Sequence, residues 1–83
     1  PGKYTVHDRL GWTFMRLGSP GQALQSFKTC LDLVPSYGPC LYGLGRAQEA
    51  RGQKSDARKS YEKYLSKHPN GSHADRVRER MGP

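Results

Sequence analysis

The stretch Leu10-Gly11-Trp12-Thr13-Phe14-Met15-Arg16-Leu17-Gly18 decides the fold, because parts of it return later in the chain. Thirty-four residues on, Leu44-Gly45 and Gly52 stand where Leu10-Gly11 and Gly18 stood. The same offset carries Ala23 onto Ala57, Ser26 onto Ser60, Leu31 onto Leu65 and Pro35 onto Pro69, and it sets Phe27 against Tyr61. A fixed period of this size marks stacked repeats, each too thin to bury its own apolar side.

Outward from that stretch the apolar spacing is helical. Val6, Leu10, Phe14 and Leu17 recur every three or four residues, so Tyr4 to Leu17 reads as a helix with these four on its apolar face. Gly18 ends it. Ser19-Pro20 opens a second helix, serine as N-cap and proline at the first helical position, where a missing N–H is harmless. That helix runs to about Leu33 with Ala23, Leu24, Phe27 and Leu31 inward, and Pro35 blocks its continuation. Gly38-Pro39 opens a third helix, with Leu41, Leu44, Ala47 and Gln48 inward, to about Arg51. A fourth covers about Lys54 to Lys67, with Ala57, Tyr61, Tyr64 and Leu65 inward. After the turn Pro69-Asn70-Gly71, Ser72-His73-Ala74-Asp75 resembles a capping box for a last helix ending near Met81. The alternating period of a strand is absent. The expected fold class is therefore all-α, a solenoid of antiparallel hairpins with five helices.

Composition bounds the function. The chain has 83 residues and 34% hydrophobic content, with mean hydropathy −0.88. A chain this short buries only about 60% of its unfolded surface. The core must be thin, which suits a solenoid. No apolar run is long enough to span a membrane. Pro1-Gly2 does not read as a natural start, so the lack of a signal pattern carries no weight. The net charge is +7 and the pI about 9.8, which admits acidic, nucleic-acid or anionic-surface partners. Cys30 and Cys40 lack the CxxC spacing of a zinc or redox motif. They fall on helices expected to pack together, where small-residue packing is the simpler reading and a disulfide needs Cα atoms within about 7 Å. His7, His68 and His73 are isolated, so no metal site is expected. No serine or cysteine has triad partners at useful spacing, and Gly43 and Gly45 lack the strand and Lys-Ser pair of a phosphate loop. No cofactor and no enzymatic activity are expected.

The residues resemble the tetratricopeptide repeat, a 34-residue helix–turn–helix with the pattern W-x2-L-G-x2-Y, then A-x3-F, then P. The first repeat offers His7, Leu10, Gly11, Phe14, Ala23, Phe27 and Pro35. The second offers Leu41, Leu44, Gly45, Gln48, Ala57, Tyr61 and Pro69. His7 and Leu41 replace the tryptophan, and Gln48 replaces the tyrosine, weakening one packing contact. The expected organisation is one domain over 1–83: repeat 1 at about 4–37, repeat 2 at about 38–71, and a capping helix at about 72–81. Two repeats are fewer than such arrays normally need, so a longer parent protein or self-association is expected. The stretch from Tyr61 to Arg78 is also similar to tetratricopeptide segments of bacterial envelope and assembly proteins. Cytoplasm and bacterial periplasm both stay open.

The resemblance implies a function. In that family the first helix of each pair lines a concave face on which partner peptides lie. By spacing, that face takes Thr5, Asp8, Arg9, Trp12, Met15 and Arg16 from the first repeat. The second supplies Pro39, Tyr42, Gly43, Arg46 and Glu49, and the last helix His73, Arg76, Val77 and Arg80. A groove of Arg9, Trp12, Met15, Arg16, Tyr42, Arg46, Arg76 and Arg80 would bind a partner peptide, with Trp12, Met15 and Tyr42 as apolar anchors and the arginines favouring acidic chemistry. The alternative for Trp12 is packing against another repeat or a helix edge. Some family members clamp a C-terminal carboxylate with Lys and Asn. The equivalent positions here, Asp8, Trp12, Gly43, His73 and Val77, do not repeat that pattern, and Asp8 would repel the ligand. Arg51, Arg58, Lys59, Lys63 and Lys67 fall mostly off the inner face and read as solvated. Two rival readings stand beside the peptide groove: nucleic-acid or polyanion binding by the basic surface, and self-assembly through repeat ends.

Overall fold

The computed structural model describes residues 2–82. Five α-helices follow one another: α1 (Lys3–Arg16), α2 (Pro20–Leu33), α3 (Gly38–Ala50), α4 (Lys54–Lys67) and α5 (Ala74–Met81). No strand occurs among the described residues. α1 pairs with α2 and α3 with α4, while α2 also packs on α3 and α4 on α5. The result is a short stack measuring 34 × 27 × 17 Å. No helix is long and apolar enough to cross a membrane.

The turns between paired helices follow from backbone chemistry. Gly18 and Gly52 each take a positive φ, +76° and +79°, a region that L side chains rarely enter. Both let the chain reverse within three residues, and Ser19 and Gln53 then donate their amides back to Phe14 and Gln48 carbonyls at 2.8 Å. Pro20 and Pro39 lie in the first turns of α2 and α3. The expected side-chain caps do not form: Ser19 makes no cap bond, and α5 starts after His73 with no capping box. Instead the His73 backbone N–H donates to the Tyr64 hydroxyl at 2.9 Å, so α4 itself anchors the entry to α5.

Two aromatic rings organise the core. Phe27 of α2 is fully buried between α1 and α3, where Gly11 and Gly43 meet its ring; a Cβ on either would overlap it. Tyr61 of α4 repeats the arrangement against Gly45 of α3. At the position matching Gly43 the last helix carries Val77, also fully buried. Overpacking such sites typically costs about 1–3 kcal/mol, which is why small residues stand opposite large rings.

Two expectations need correction. Val6, Leu10 and Leu17 do not face the core; they are 55%, 40% and 70% exposed. α1 packs on α2 through Gly11, with Tyr4, Phe14 and Met15 against the same cluster. A helix in a stack has two apolar sides, and periodicity alone merges them. Cys30 and Cys40 are also more than packed neighbours. They form a disulfide between α2 and α3, with Cα atoms 6.4 Å apart. A bridge there ties the first hairpin to the second.

Candidate functional site

Register builds the candidate site. The 34-residue offset puts Asp8, Tyr42 and Arg76 at one level of α1, α3 and α5, and Trp12, Arg46 and Arg80 at the next. Thr5, Pro39 and His73 share a third. These three helices therefore present equivalent sides to one surface.

Across that surface the aromatic side chains form a continuous row. Trp12 meets Phe27 edge-on at 5.1 Å between centroids and leans on Tyr42 at 5.6 Å. The Tyr42 ring stacks on the His73 imidazole at 4.6 Å and 14°. Arg46 donates from Nη1 to the Tyr42 hydroxyl at 3.0 Å, and its guanidinium lies 5.8 Å from that ring's centroid. Such an arrangement adds a cation–π attraction to the hydrogen bond. Asp8 sits beside the row. Its burial pushes its carboxyl above the usual value, against a hydrogen bond from Trp12 and the nearby charges of His73 and Arg9. Burial likewise lowers His73, helped by the neighbouring Arg76 guanidinium.

The expected groove residues do not all take the same part. Trp12, Arg46 and Arg76 converge around Tyr42 and His73. Tyr42 is buried to 3% exposure, so it forms the floor under Trp12 and His73 and is not a free anchor. Met15 is half-buried against the first core cluster. Arg80 is held in an ion pair, donating from Nε to Glu49 at 2.5 Å, and Glu49 also accepts the Tyr61 hydroxyl. Burial raises the Glu49 carboxyl, but the hydrogen bonds from Tyr61 and Arg80 and the charges of Arg80 and Arg46 outweigh it and hold it below the usual range. Burial, then the hydrogen bond to Glu49 and its charge, push Tyr61 well above an ordinary phenol, against the lowering influence of Arg80. Arg9 and Arg16 are exposed, about 60° and 40° around α1 from Trp12, and form the outer ridge of the surface.

Sequence reasoning treated His73 as an isolated histidine, although it placed the residue on this face. The stack on Tyr42 was foreshadowed only by register, since Pro39 and Thr5 share its level. Gly43, assigned to the groove by spacing, lies buried against Phe27. Gln48, which departs from the family pattern, is buried and accepts a hydrogen bond from Ser60 at 2.6 Å. The polar pair replaces an aromatic contact with a satisfied one. Arg58, Lys59, Lys63 and Lys67 are exposed on the outer side of α4.

The surface offers aromatic faces, guanidinium groups and one carboxylate for recognition. Among the described residues no group of three or more His, Cys, Asp or Glu side chains is placed to hold a metal ion. Comparison with curated proteins and with solved structures returned no match. A family model described as "Tetratricopeptide repeat" matches residues 14–81, from the end of α1 through α5. Its repeats generally mediate protein–protein interaction and typically carry no catalysis. With most of its length matched and its helices stacked in the same order, the chain belongs to the tetratricopeptide repeat family.

Proposed function

We propose that the concave surface of α1, α3 and α5 binds a segment of a partner protein with acidic side chains, and that the 83 residues form one interaction domain. The observation that carries this reading is the Trp12–Tyr42–His73 row with Arg46 and Arg76 beside it. A stacked aromatic floor supplies apolar contact at low entropic cost, and arginine beside it supplies charge and directional hydrogen bonds. Tyr42 positions its neighbours, while Trp12, His73, Arg46 and Arg76 meet the ligand. Arg9 and Arg16 form the outer edge. Met15 and Arg80 contribute less, one through the core and the other through its pair with Glu49.

Trp12 is the only tryptophan, so its emission reports on this surface directly. The test titrates Asp/Glu-rich peptides and their Asn/Gln counterparts into the protein and follows Trp12 fluorescence. The acidic peptides bind more tightly, and Arg46→Glu with Arg76→Glu weakens them at least tenfold while circular dichroism stays helical. Unchanged affinity in that folded variant would remove the reading. Nucleic-acid binding rests on net charge alone; affinity for single-stranded oligonucleotides that vanishes with moderate salt, whatever their sequence, would favour it.

A further inference from the structure

His73 is the member of the aromatic row whose charge can change near neutral pH. Its place is fixed at two points. The imidazole stacks on the Tyr42 ring of α3 at 4.6 Å and 14°, and the backbone N–H donates to the Tyr64 hydroxyl of α4 at 2.9 Å. The residue is half-buried and not sealed from solvent.

The charges around the imidazole are unequal. Burial opposes its protonation most, followed by the Arg76 guanidinium of α5. Arg46 of α3 brings a second cation to the hydroxyl of the same Tyr42. The head of α5, where His73 stands, also disfavours a positive charge. From α1, Asp8 favours the charged ring, although Arg9 draws on the same carboxylate. α4 contributes the Tyr64 ring, 6.2 Å away, and Asp75 of α5 pairs with Arg78. The free surface therefore keeps the ring uncharged near neutral pH. A partner carboxylate laid against Arg46 and Arg76 supplies the missing negative charge. By linkage, a ligand that makes the ring take up a proton is itself bound more tightly when protons are available. Protonation is compatible with the stack: an imidazolium over Tyr42 gains a cation–π attraction, and the main-chain bond to Tyr64 carries no titrating donor.

We propose that His73 makes this surface hold an acidic partner segment more tightly as pH falls, its protonated imidazole joining Arg46 and Arg76 against the partner's carboxylates. The proposal rests on the binding of an acidic segment at this surface. The probe is a fluorescently labelled glutamate-rich peptide, with affinity read by anisotropy at about pH 7.5 and about pH 5.5, a range in which glutamate stays largely ionised. The parent protein binds it roughly threefold or more tightly at the lower pH, the gain expected from a rise of half a unit or more in the pKa of one group on binding. His73→Gln binds alike at both pH values. His7→Gln and His68→Gln keep the response, and so does Asp8→Asn, which separates His73 from titration of that carboxylate. Nuclear magnetic resonance of the imidazole C–H protons shows His73 titrating at higher pH when the peptide is bound. A parent protein without the response, or a response that survives His73→Gln or disappears in Asp8→Asn, would overturn the proposal. If Arg46→Glu with Arg76→Glu still weakens the peptide in that case, the acidic-segment reading stands and the pH dependence alone falls. A peptide that binds at neither pH removes both.

Discussion

The two hairpins share one frame and fill it differently. In α1–α2 the frame is apolar and aromatic: Phe27 against Gly11, with Trp12 edge-on to its ring. In α3–α4 the same levels hold Tyr61 against Gly45, Arg46 where Trp12 stood, and the Gln48–Ser60 pair where the first hairpin has Phe14 and Ser26. Tyr61 carries its hydroxyl to Glu49, which also takes Arg80. The junctions differ too. α2 meets α3 through the Cys30–Cys40 bridge, whereas at the matching levels α4 meets α5 through Tyr64 and Ala74. Backbone geometry and small-against-large packing are what the repeat conserves within this chain; polar chemistry is what each copy varies. The candidate surface draws on that variation, with an indole from one copy and a guanidinium from the next.

Breaking the shared feature has the largest effect. Phe27→Ala removes a fully buried ring that three helices touch and costs about 3–5 kcal/mol, a large part of the stability of a small domain, read by urea denaturation. If it cost no more than a surface change, the ring-on-glycine contact would not be the organising one.

The junctions separate next. Replacing Cys30 and Cys40 together by alanine lowers stability by about 2–3 kcal/mol, as expected for cross-linking residues ten apart in sequence. Reductant produces the same loss in the parent protein and none in the variant. Hydrogen exchange then rises first where α2 meets α3, while the junction of α4 with α5 keeps its protection.

The polar substitution gives a finer distinction. Ser60→Ala leaves the buried Gln48 amide oxygen without its donor and costs about 1–2 kcal/mol. Ser26→Ala costs less, because the matching residue in the first hairpin is Phe14, whose ring offers no such acceptor. Equal losses in thermal denaturation would show that the two hairpins do not differ at this level.

Smallest is the ion pair at the end of the second hairpin. Glu49 has a lowered carboxyl pKa in the fold, so its contribution is present above the ordinary value of 4.5 and fades as pH falls through the folded value. Glu49→Gln loses about 1 kcal/mol near neutral pH, reduced by the partial exposure of both partners, and the gap from the parent closes in acid. A gap that stays constant down to acid pH would assign the effect to packing.

Much of the fold was legible in advance. Helix number, the turn glycines and the small-against-large pairs all follow from spacing, because a 34-residue period repeats backbone constraints that only particular residues satisfy. Val6, Leu10 and Leu17 misled for a specific reason. Periodicity shows that side chains share a side of a helix and says nothing of what covers it, and no described helix packs over these three. The candidate surface was half legible. Register placed Trp12, Arg46 and Arg76 on one surface, but whether an arginine stays free depends on a partner distant in sequence, as Arg80 and Glu49 show.

By itself the sequence determined the repeat, its helices and the residues too small to be anything but contact points, since these are local or periodic properties of the chain. The tertiary structure alone decided the Cys30–Cys40 bridge, the burial of Tyr42 beneath His73, the pairing of Arg80 and the exposure of one side of α1. Each of these depends on the distance between residues on different helices, and that distance is set by how the helices pack.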